Sequence, residues 1–274
     1  MSPCQESWAR HVELRRWPTG PAVARWVENH WSLAWDLPRG SSVTSRVLPH
    51  PTCSLTAEHA SHPRRGVGRE RVVVTGVVTR RFDVEVRGTG RVLGVRFRPG
   101  GLAALSGRSA RAWTDAVVPA SDVLPAPVCG ALADPALADD PGAWAAVAEE
   151  VLAGIPAPDD AQYERVLEVV ADLLADRTLL TVGEVAARHG LTPRTLQRLF
   201  VHYVGVGPKW VLGRYRMHDV VTELDEGYAG PLTELAARHG WYDQAHFTRD
   251  FTALVGVTPG QYRGGGGHEG APAR

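Results

Sequence analysis

The sequence predicts an α+β protein in which a β-rich N-terminal half precedes an all-α C-terminal half. Residues 71–79 form a β-branched run, and the stretch after them alternates apolar Leu93, Val95 and Phe97 with glycine and arginine, which is the period of a half-buried strand. The turn sequence "RGTG" at 87–90 predicts a hairpin. Most of the last hundred or so residues instead form helical patterns of roughly 8–16 residues, separated by glycine and proline.

Length and composition predict about two domains. The chain has 274 residues, of which 44% are hydrophobic and 22% charged, as in an ordinary soluble globular protein. We expect a β-rich domain over residues 1–120 and an acidic, Pro- and Ala-rich linker with one short helix over 121–160. An all-α domain over 161–264 and a flexible glycine-rich tail over 265–274 complete the predicted organisation.

Charge is unevenly distributed, although the formal net charge is zero. Residues 1–119 hold 18 arginines against 9 carboxylates, residues 120–160 hold eight carboxylates and no base, and residues 161–264 hold 11 basic and 12 acidic side chains. A nucleic-acid-binding function therefore cannot depend on an excess of positive charge. It would require basic side chains placed on one face.

The chain carries no pattern of a secreted or membrane protein. Its first residues lack the apolar segment of a secretory signal, and no stretch approaches the roughly 18 apolar residues of a membrane span. The three cysteines, Cys4, Cys53 and Cys129, are scattered and odd in number, which is typical of a reducing compartment. We therefore expect a cytoplasmic protein with no membrane contact.

The phrase Ala-Ala-Arg-His-Gly occurs twice, at residues 186–190 and 236–240. In each copy a short amphipathic helix precedes the glycine, which readily adopts the left-handed conformation that ends a helix. A second helix follows, capped by Thr192 with Pro193 in the first copy and by Asp243 in the second. Two short helices joined by a glycine turn are typical of a helix-turn-helix, so the repeat predicts two such units.

The second helix of each unit has an apolar face and a polar face. The polar faces carry residue types that contact base edges or phosphates in a major groove. These candidate DNA-binding residues are Arg194, Thr195, Gln197, Arg198, Gln244, His246, Thr248 and Arg249. Because the apolar positions match between the copies while the polar ones differ, we interpret the units as readers of two different DNA segments.

A long helix over residues 209–224 joins the units in this prediction. It would span about 24 Å at 1.5 Å per residue, a spacer suited to successive major-groove faces about 34 Å apart. The alternative interpretation is that helical hairpins are common and that exposed Arg and Gln are merely solvated. The matched glycines and the matched G-x-x-P endings of both copies, at 205–208 and 256–259, favour DNA binding.

Residues 165–263 resemble the DNA-binding domain of the AraC/XylS transcription regulators. The resemblance rests on the first recognition helix, "GLTPRTLQRLF", and on a second-half signature. That signature comprises Ala236, Gly240, Trp241, Asp243, Gln244, Phe247, Arg249, Phe251, Gly256, Pro259, Tyr262 and Arg263. It implies a regulator that binds two adjacent major-groove segments of double-stranded DNA, contacts RNA polymerase if it is an activator, and can form a homodimer. Ala245 departs from the family pattern, so we expect little base readout there.

The N-terminal half resembles a β-rich sensing domain found on actinobacterial members of that family. The segments "VLPHPTCSL" (47–55) and "GVRFRPGGLAALSG" (94–107), followed by "WTDAVVPASDVLP", carry this resemblance. It implies a cupin-like barrel that binds a small-molecule effector or dimerises. Trp31, Trp35 and His50 are the candidate effector-binding residues, and a core role is the alternative for the two tryptophans.

A second hypothesis is a cupin-type metal-dependent enzyme with a helical accessory domain. His50, Cys53, His59 and His62 lie within thirteen residues, and imidazole and thiolate side chains bind metals. Their spacing matches no strong metal-binding pattern, and no nucleophile, Walker or dinucleotide motif is present, so we expect no cofactor, no metal and no enzymatic activity. A nearby basic cluster predicts a solvated loop and consists of Arg64, Arg65, Arg69 and Arg71.

Overall fold

The computed structural model describes residues 11–62, 71–157 and 159–266. Strands fill its N-terminal part and helices its C-terminal part, which confirms the predicted α+β class. The strands are β1 (Val12–Pro18), β2 (Val27–Asp36), β3 (Ser42–Val47), β4 (Ser54–Ala60), β5 (Val72–Thr75), β6 (Phe82–Arg87), β7 (Thr89–Phe97) and β8 (Val117–Pro119).

The helices begin directly after β7 and continue to the end of the described chain. They are α1 (Gly101–Ser106), α2 (Ala126–Leu132), α3 (Pro141–Ala153), α4 (Ala161–Ala175), α5 (Val182–Arg188), α6 (Pro193–Tyr203), α7 (Pro208–Asp225), α8 (Leu232–Arg238), α9 (Gln244–Val255) and α10 (Pro259–Gln261). Within the described ranges, none of them combines the length and the apolarity needed to cross a bilayer.

The strands form two antiparallel sheets. Six of them lie in the order β1-β2-β7-β4-β5-β8, and β3 pairs with β6 in a separate two-stranded sheet. Leu55, Leu93, Val95 and Phe97 of the larger sheet are fully buried, as the alternation in the sequence predicts. The smaller sheet packs against the larger one through a cluster that includes Trp35 and Val86.

The turn at residues 87–90 does not close a hairpin, so that expectation was wrong. β6 pairs with β3, whereas β7 pairs with β2 and β4, so the strands on either side of the turn belong to different sheets. Gly88 has a φ of 59°, a left-handed conformation that lets the chain pass from one sheet to the other. Turn composition specifies a change of direction, but the pairing partner depends on distant residues.

Residues 121–160, expected as a linker with one short helix, carry the two helices α2 and α3. Trp144 of α3 is fully buried, and its indole Nε1 donates a hydrogen bond to the carbonyl of Leu132 at 3.1 Å. Glu149 of α3 accepts the backbone N–H of Gly20 at 2.7 Å and lies 2.9 Å from Nε2 of buried His30 on β2. This stretch is therefore packed against the sheet, and the domain boundaries given above stay a prediction.

One apolar core joins the two halves of the chain. Phe97 of β7, Trp144 of α3 and Phe200 of α6 belong to the same cluster of buried side chains. A second core forms around Phe247 and Phe251 of α9. Shared burial of this kind favours unfolding of the N-terminal half and the first helical unit as one cooperative event.

We therefore expect Phe200→Ala to lower the free energy of unfolding by about 3–5 kcal/mol, because it leaves a cavity in the shared core. Chemical denaturation followed by circular dichroism measures this loss, and the strand and helix signals should move together. Leu174→Ala is the matched control, since Leu174 is 48% exposed and its truncation should cost under about 0.5 kcal/mol. A Phe200→Ala variant as stable as wild type would contradict the shared core.

Candidate DNA-binding interface

The C-terminal helices form two units of three helices each. In the first unit α4, α5 and α6 bury side chains in one cluster, and in the second unit α7, α8 and α9 do the same. α7 also connects the two units. Gly190 and Gly240 begin the two turns with φ of 62° and 77°, the left-handed conformation expected from the sequence. α7 contains 18 residues and therefore spans about 27 Å.

The supporting helices of the two units begin differently. Thr181 and Glu184 form a complete capping box at the start of α5. α8 has Pro231 as its N-cap and no side-chain cap, and Thr233 is exposed. The recognition helices are both capped: Thr192 accepts the N–H of Thr195 at 3.1 Å, and Asp243 accepts the N–H of His246 at 2.7 Å.

The repeated Arg-His pair anchors each supporting helix to the helix before it. In the first unit Arg188 pairs with Asp176, and Nε2 of His189 lies 3.1 Å from a carboxylate oxygen of Asp172. In the second unit Arg238 and His239 both contact Glu223 of α7, each at 2.6 Å. The phrase Ala-Ala-Arg-His-Gly recurs because its Arg-His pair attaches the supporting helix to the preceding helix in the same way in both units.

The exposed face of α6 carries the polar residues predicted for it. Arg194, Gln197 and Arg198 are exposed and Thr195 is half-buried, whereas the other face of the helix is buried. The Thr195 hydroxyl lies 3.0 Å from that of Thr192, so it belongs to the helix cap. The Gln197 amide lies against Gly207, where an added Cβ would come within 2.8 Å of it. The two arginines are therefore the side chains on this face that extend away from the helix's own local contacts.

The exposed face of α9 is similarly arranged. Gln244, His246 and Arg249 are exposed and Thr248 is half-buried, while the aromatic stripe behind them is buried in the second core. His246 pairs with Asp250 at 3.2 Å along the helix.

Tyr242, immediately before the cap of α9, is 95% exposed, which makes it one of the few exposed large apolar side chains of the described chain. Its exposure could not be predicted from the sequence, because a tyrosine next to Trp241 is as compatible with packing as with exposure. It adds an exposed ring next to the N-terminus of α9.

Several carboxylates of the helical domain are paired with basic side chains that lie outside the two exposed polar faces. Asp172 and Asp176 hold the first Arg-His pair, Glu223 holds the second, and Asp219 pairs with Arg177 at 3.0 Å. Within the described chain, no carboxylate lies in ion-pair contact with Arg194, Arg198 or Arg249 of the recognition helices.

Two of the three candidate effector residues, Trp31 and Trp35, share one apolar cluster, and His50 lies apart from them. Trp35 lines a cleft of about 780 Å³ whose other lining side chains include His59, Arg91 and Asp139. Trp31 lies across the sheet from Gly94, so close that an added Cβ there would be 2.3 Å from the indole, and it packs in the sheet. His50 stacks on His218 of α7 with ring centroids 3.9 Å apart, away from the cleft.

The residues of the metal hypothesis also remain apart. Cys53 is buried, and burial raises the pKa of its thiol to about 11. His59 lines the cleft, whereas His62 is exposed and its Nδ1 lies 3.2 Å from the hydroxyl of Ser61. No group of three His, Cys, Asp or Glu side chains with the geometry of a metal site occurs in the described ranges. Of the basic cluster, Arg71 is exposed, and its other three members lie outside those ranges.

Two family models match separate parts of the chain. Residues 185–265 match a family described as a helix-turn-helix domain. Residues 15–119 match a domain of unknown function, DUF6597.

Curated relatives match the helical part only. The HTH-type transcriptional regulator Rv1931c of Mycobacterium tuberculosis is 33% identical over 82 residues, which is 30% of this chain and 31% of that protein. A protein of Streptomyces antibioticus described as an AraC-like transcription regulator is 34% identical over 83 residues, 30% of this chain and 27% of that protein. The chain thus spans less than a third of the length of these relatives.

Two solved structures illustrate what the chain is similar to. The C-terminal domain of AraT, a response regulator from Geobacillus stearothermophilus, is 25% identical with a TM-score of 0.35, covering 39% of this chain and 88% of that one. ToxT from Vibrio cholerae, in a structure with bound unsaturated fatty acid, is 11% identical with a TM-score of 0.42, covering 85% and 94%. From the family match, residues 185–265 of this chain are a helix-turn-helix domain, and this part is similar in sequence to an AraC-like transcription regulator.

The unequal caps of the two supporting helices give a matched test. Thr181→Ala removes the hydroxyl that accepts the N–H of Glu184, so we expect a loss of about 0.5–2 kcal/mol in the free energy of unfolding. Thr233→Ala, at the corresponding helix, removes no cap and should change it by less than about 0.5 kcal/mol. Urea denaturation of both variants measures the difference. Equal losses would show that the capping box contributes nothing.

Proposed function

We propose that this protein is a sequence-specific DNA-binding transcription regulator. The supporting observation is the pair of exposed polar faces, one on α6 and one on α9, each fixed by a buried apolar stripe and by a side-chain cap. Such a face has the shape and chemistry that a major groove accepts. The two units would bind adjacent major-groove segments of double-stranded DNA.

The two faces differ in the bases they suit. Arg194 and Arg198 extend from α6, and an arginine forms two hydrogen bonds with guanine, so α6 would select guanine. Gln244 and Arg249 of α9 suit adenine and guanine. Thr195, Gln197, His246 and Thr248 have local contacts or partial burial, and their role would be to support these side chains or to contact phosphates.

The N-terminal half would regulate this binding. Its cleft beside Trp35 has a volume in the range that small ligands occupy, and we assign it as the site of a small-molecule effector. Homodimerisation would supplement the affinity of two recognition helices with few phosphate contacts. Contact with RNA polymerase follows if the protein activates transcription.

The assignment of Arg198 is tested by substitution. We expect Arg198→Ala to lose discrimination at one base pair, at a cost of about 1–3 kcal/mol, because a bidentate contact to guanine is removed. DNA sites selected from a random library by the wild-type protein supply the target and its single-base variants, and fluorescence anisotropy measures binding to each.

Arg165→Ala is the matched control for this measurement. Arg165 is exposed on α4, in the same domain but outside both reading faces, so its removal should leave base preference unchanged. If the Arg198→Ala variant has the base preference of wild type at every position, the assignment of Arg198 as a base-contacting residue is wrong.

A further inference from the structure

A buried arginine that has no counter-ion among the described residues lies between the two halves of the chain. Arg214 of α7 is 2% exposed, and its guanidinium carbon lies 4.4 Å from the ring centroid of Trp210. Its Nη2 donates one hydrogen bond, at 3.3 Å, to the carbonyl of Thr79. Its Nε and Nη1 have no hydrogen-bond acceptor among the described residues. Two of its three nitrogens are therefore buried and unpaired.

The N-terminal half holds the acceptor of Arg214 rigidly. The backbone N–H and the hydroxyl of Thr79 both donate to the carboxylate of Asp115, each at 2.6 Å. Asp115 has a φ of 58°, an uncommon conformation for a residue other than glycine. These two hydrogen bonds tie the residue that supplies the acceptor to the neighbouring loop of the N-terminal half.

Other basic side chains lie near the same place. His50 is half-buried beside His218, with ring centroids 3.9 Å apart. Desolvation together with the charges of Arg96, His218, Arg214 and Arg16 lowers the pKa of His50, which favours its neutral form. Arg96 of β7 has its own counter-ion, since its Nε lies 3.1 Å from a carboxylate oxygen of Glu28. We call the region between β7 and α7 that contains Arg96, Arg214, His50 and His218 the basic seam.

The free-energy cost of burying a charged guanidinium argues against a purely structural role for Arg214. Burial alone lowers its pKa to about 10, and no carboxylate opposes this effect. A buried ion loses its hydration, and one carbonyl with one aromatic ring does not replace what a carboxylate or phosphate would supply. An arginine whose N–H groups lack acceptors, and which lies near other basic side chains, is suited to binding an oxyanion.

We propose that the basic seam is a binding site for a compact oxyanion, a carboxylate or a phosphate, which accepts hydrogen bonds from Nε and Nη1 of Arg214 and is attracted by Arg96. Since Arg214 is almost fully buried, the anion enters only when α7 moves slightly from the loop at residues 48–50. Binding therefore changes how the helix that connects the two DNA-binding units sits on the N-terminal half. This regulatory consequence rests on the proposed function, whereas the anion site does not.

The test uses the full-length protein without DNA. Inorganic phosphate and acetate are titrated separately at constant pH and ionic strength, and binding is followed by calorimetry and by the thermal unfolding midpoint. We expect a saturable response to at least one of them, and the more effective anion distinguishes a phosphate site from a carboxylate site. If neither anion gives a saturable response, the site does not exist, whatever the protein's affinity for DNA.

Variants of one helix separate binding from structure. Arg214→Met keeps the length of the apolar stem and removes the charge, so it should weaken anion binding at least tenfold. In anion-free buffer it should also raise the unfolding midpoint, because an unpaired buried charge is gone. Arg216→Gln, two residues along α7, is the matched control: Arg216 donates to the carbonyls of His239 and Gly240, and its loss should leave anion affinity within about twofold.

Two results would overturn the proposal even if wild type binds an anion. One is an Arg214→Met variant with wild-type anion affinity, and the other is a variant whose unfolding midpoint falls in anion-free buffer. Failure of Arg214→Met to fold at all would count with the second result, because it would show that the charge stabilises the native state. The coupling between anion binding and DNA binding is measured afterwards. Saturating anion should change the affinity of the wild-type protein for selected DNA and should leave that of Arg214→Met unchanged.

Discussion

Burial of one apolar stripe on each recognition helix is the constraint on which the rest of the molecule depends. Phe200 on α6 and Phe247 on α9 are fully buried, each within its own core. Since an α-helix repeats every 3.6 residues, burying these side chains turns the opposite face outward. The exposed positions of Arg198 and Arg249 follow from what is packed behind them, and so does any contact they make with DNA.

The helical part was largely predictable because its determinants are local. The capping pattern at Thr181, the left-handed Gly190 and the 3.6-residue stripes all act within one or two turns of chain, and the structure confirms them. The Arg-His anchors were not predictable, because their carboxylates lie on the preceding helices, 12 to 16 residues away in sequence for Asp176 and Glu223.

In the N-terminal half the strands were predictable because alternation is a local pattern. Their pairing partners were not, because pairing depends on residues distant in sequence. Alternation identifies β7 as a strand, yet nothing near residues 87–90 shows that β6 pairs with β3. The burial of Arg214 is another long-range property, since it depends on the approach of Thr79 from the other half of the chain. The candidate DNA-binding residues are exposed as predicted except for the half-buried Thr195 and Thr248, and their contacts with DNA stay a prediction.

The shared core gives the proposed regulation a physical route. The first unit contacts the N-terminal half directly: the hydroxyl of Thr114 donates to the carbonyl of Gly205 at 2.9 Å, just after α6. The connecting helix α7 contacts it at Thr79 and at Pro49, whose carbonyl lies 3.2 Å from Nε2 of His218. In the proposed regulation, a ligand that alters the N-terminal half would act on both units through these contacts.

The most direct test of the central claim is a hydroxyl-radical footprint of the full-length protein on a selected DNA site. Two recognition helices held by a 27 Å connecting helix should protect two adjacent major-groove segments on the same side of the duplex, about one helical turn apart. Protection of a single segment would show that only one unit binds. Absence of any specific protection would contradict the proposal that this protein is a DNA-binding regulator.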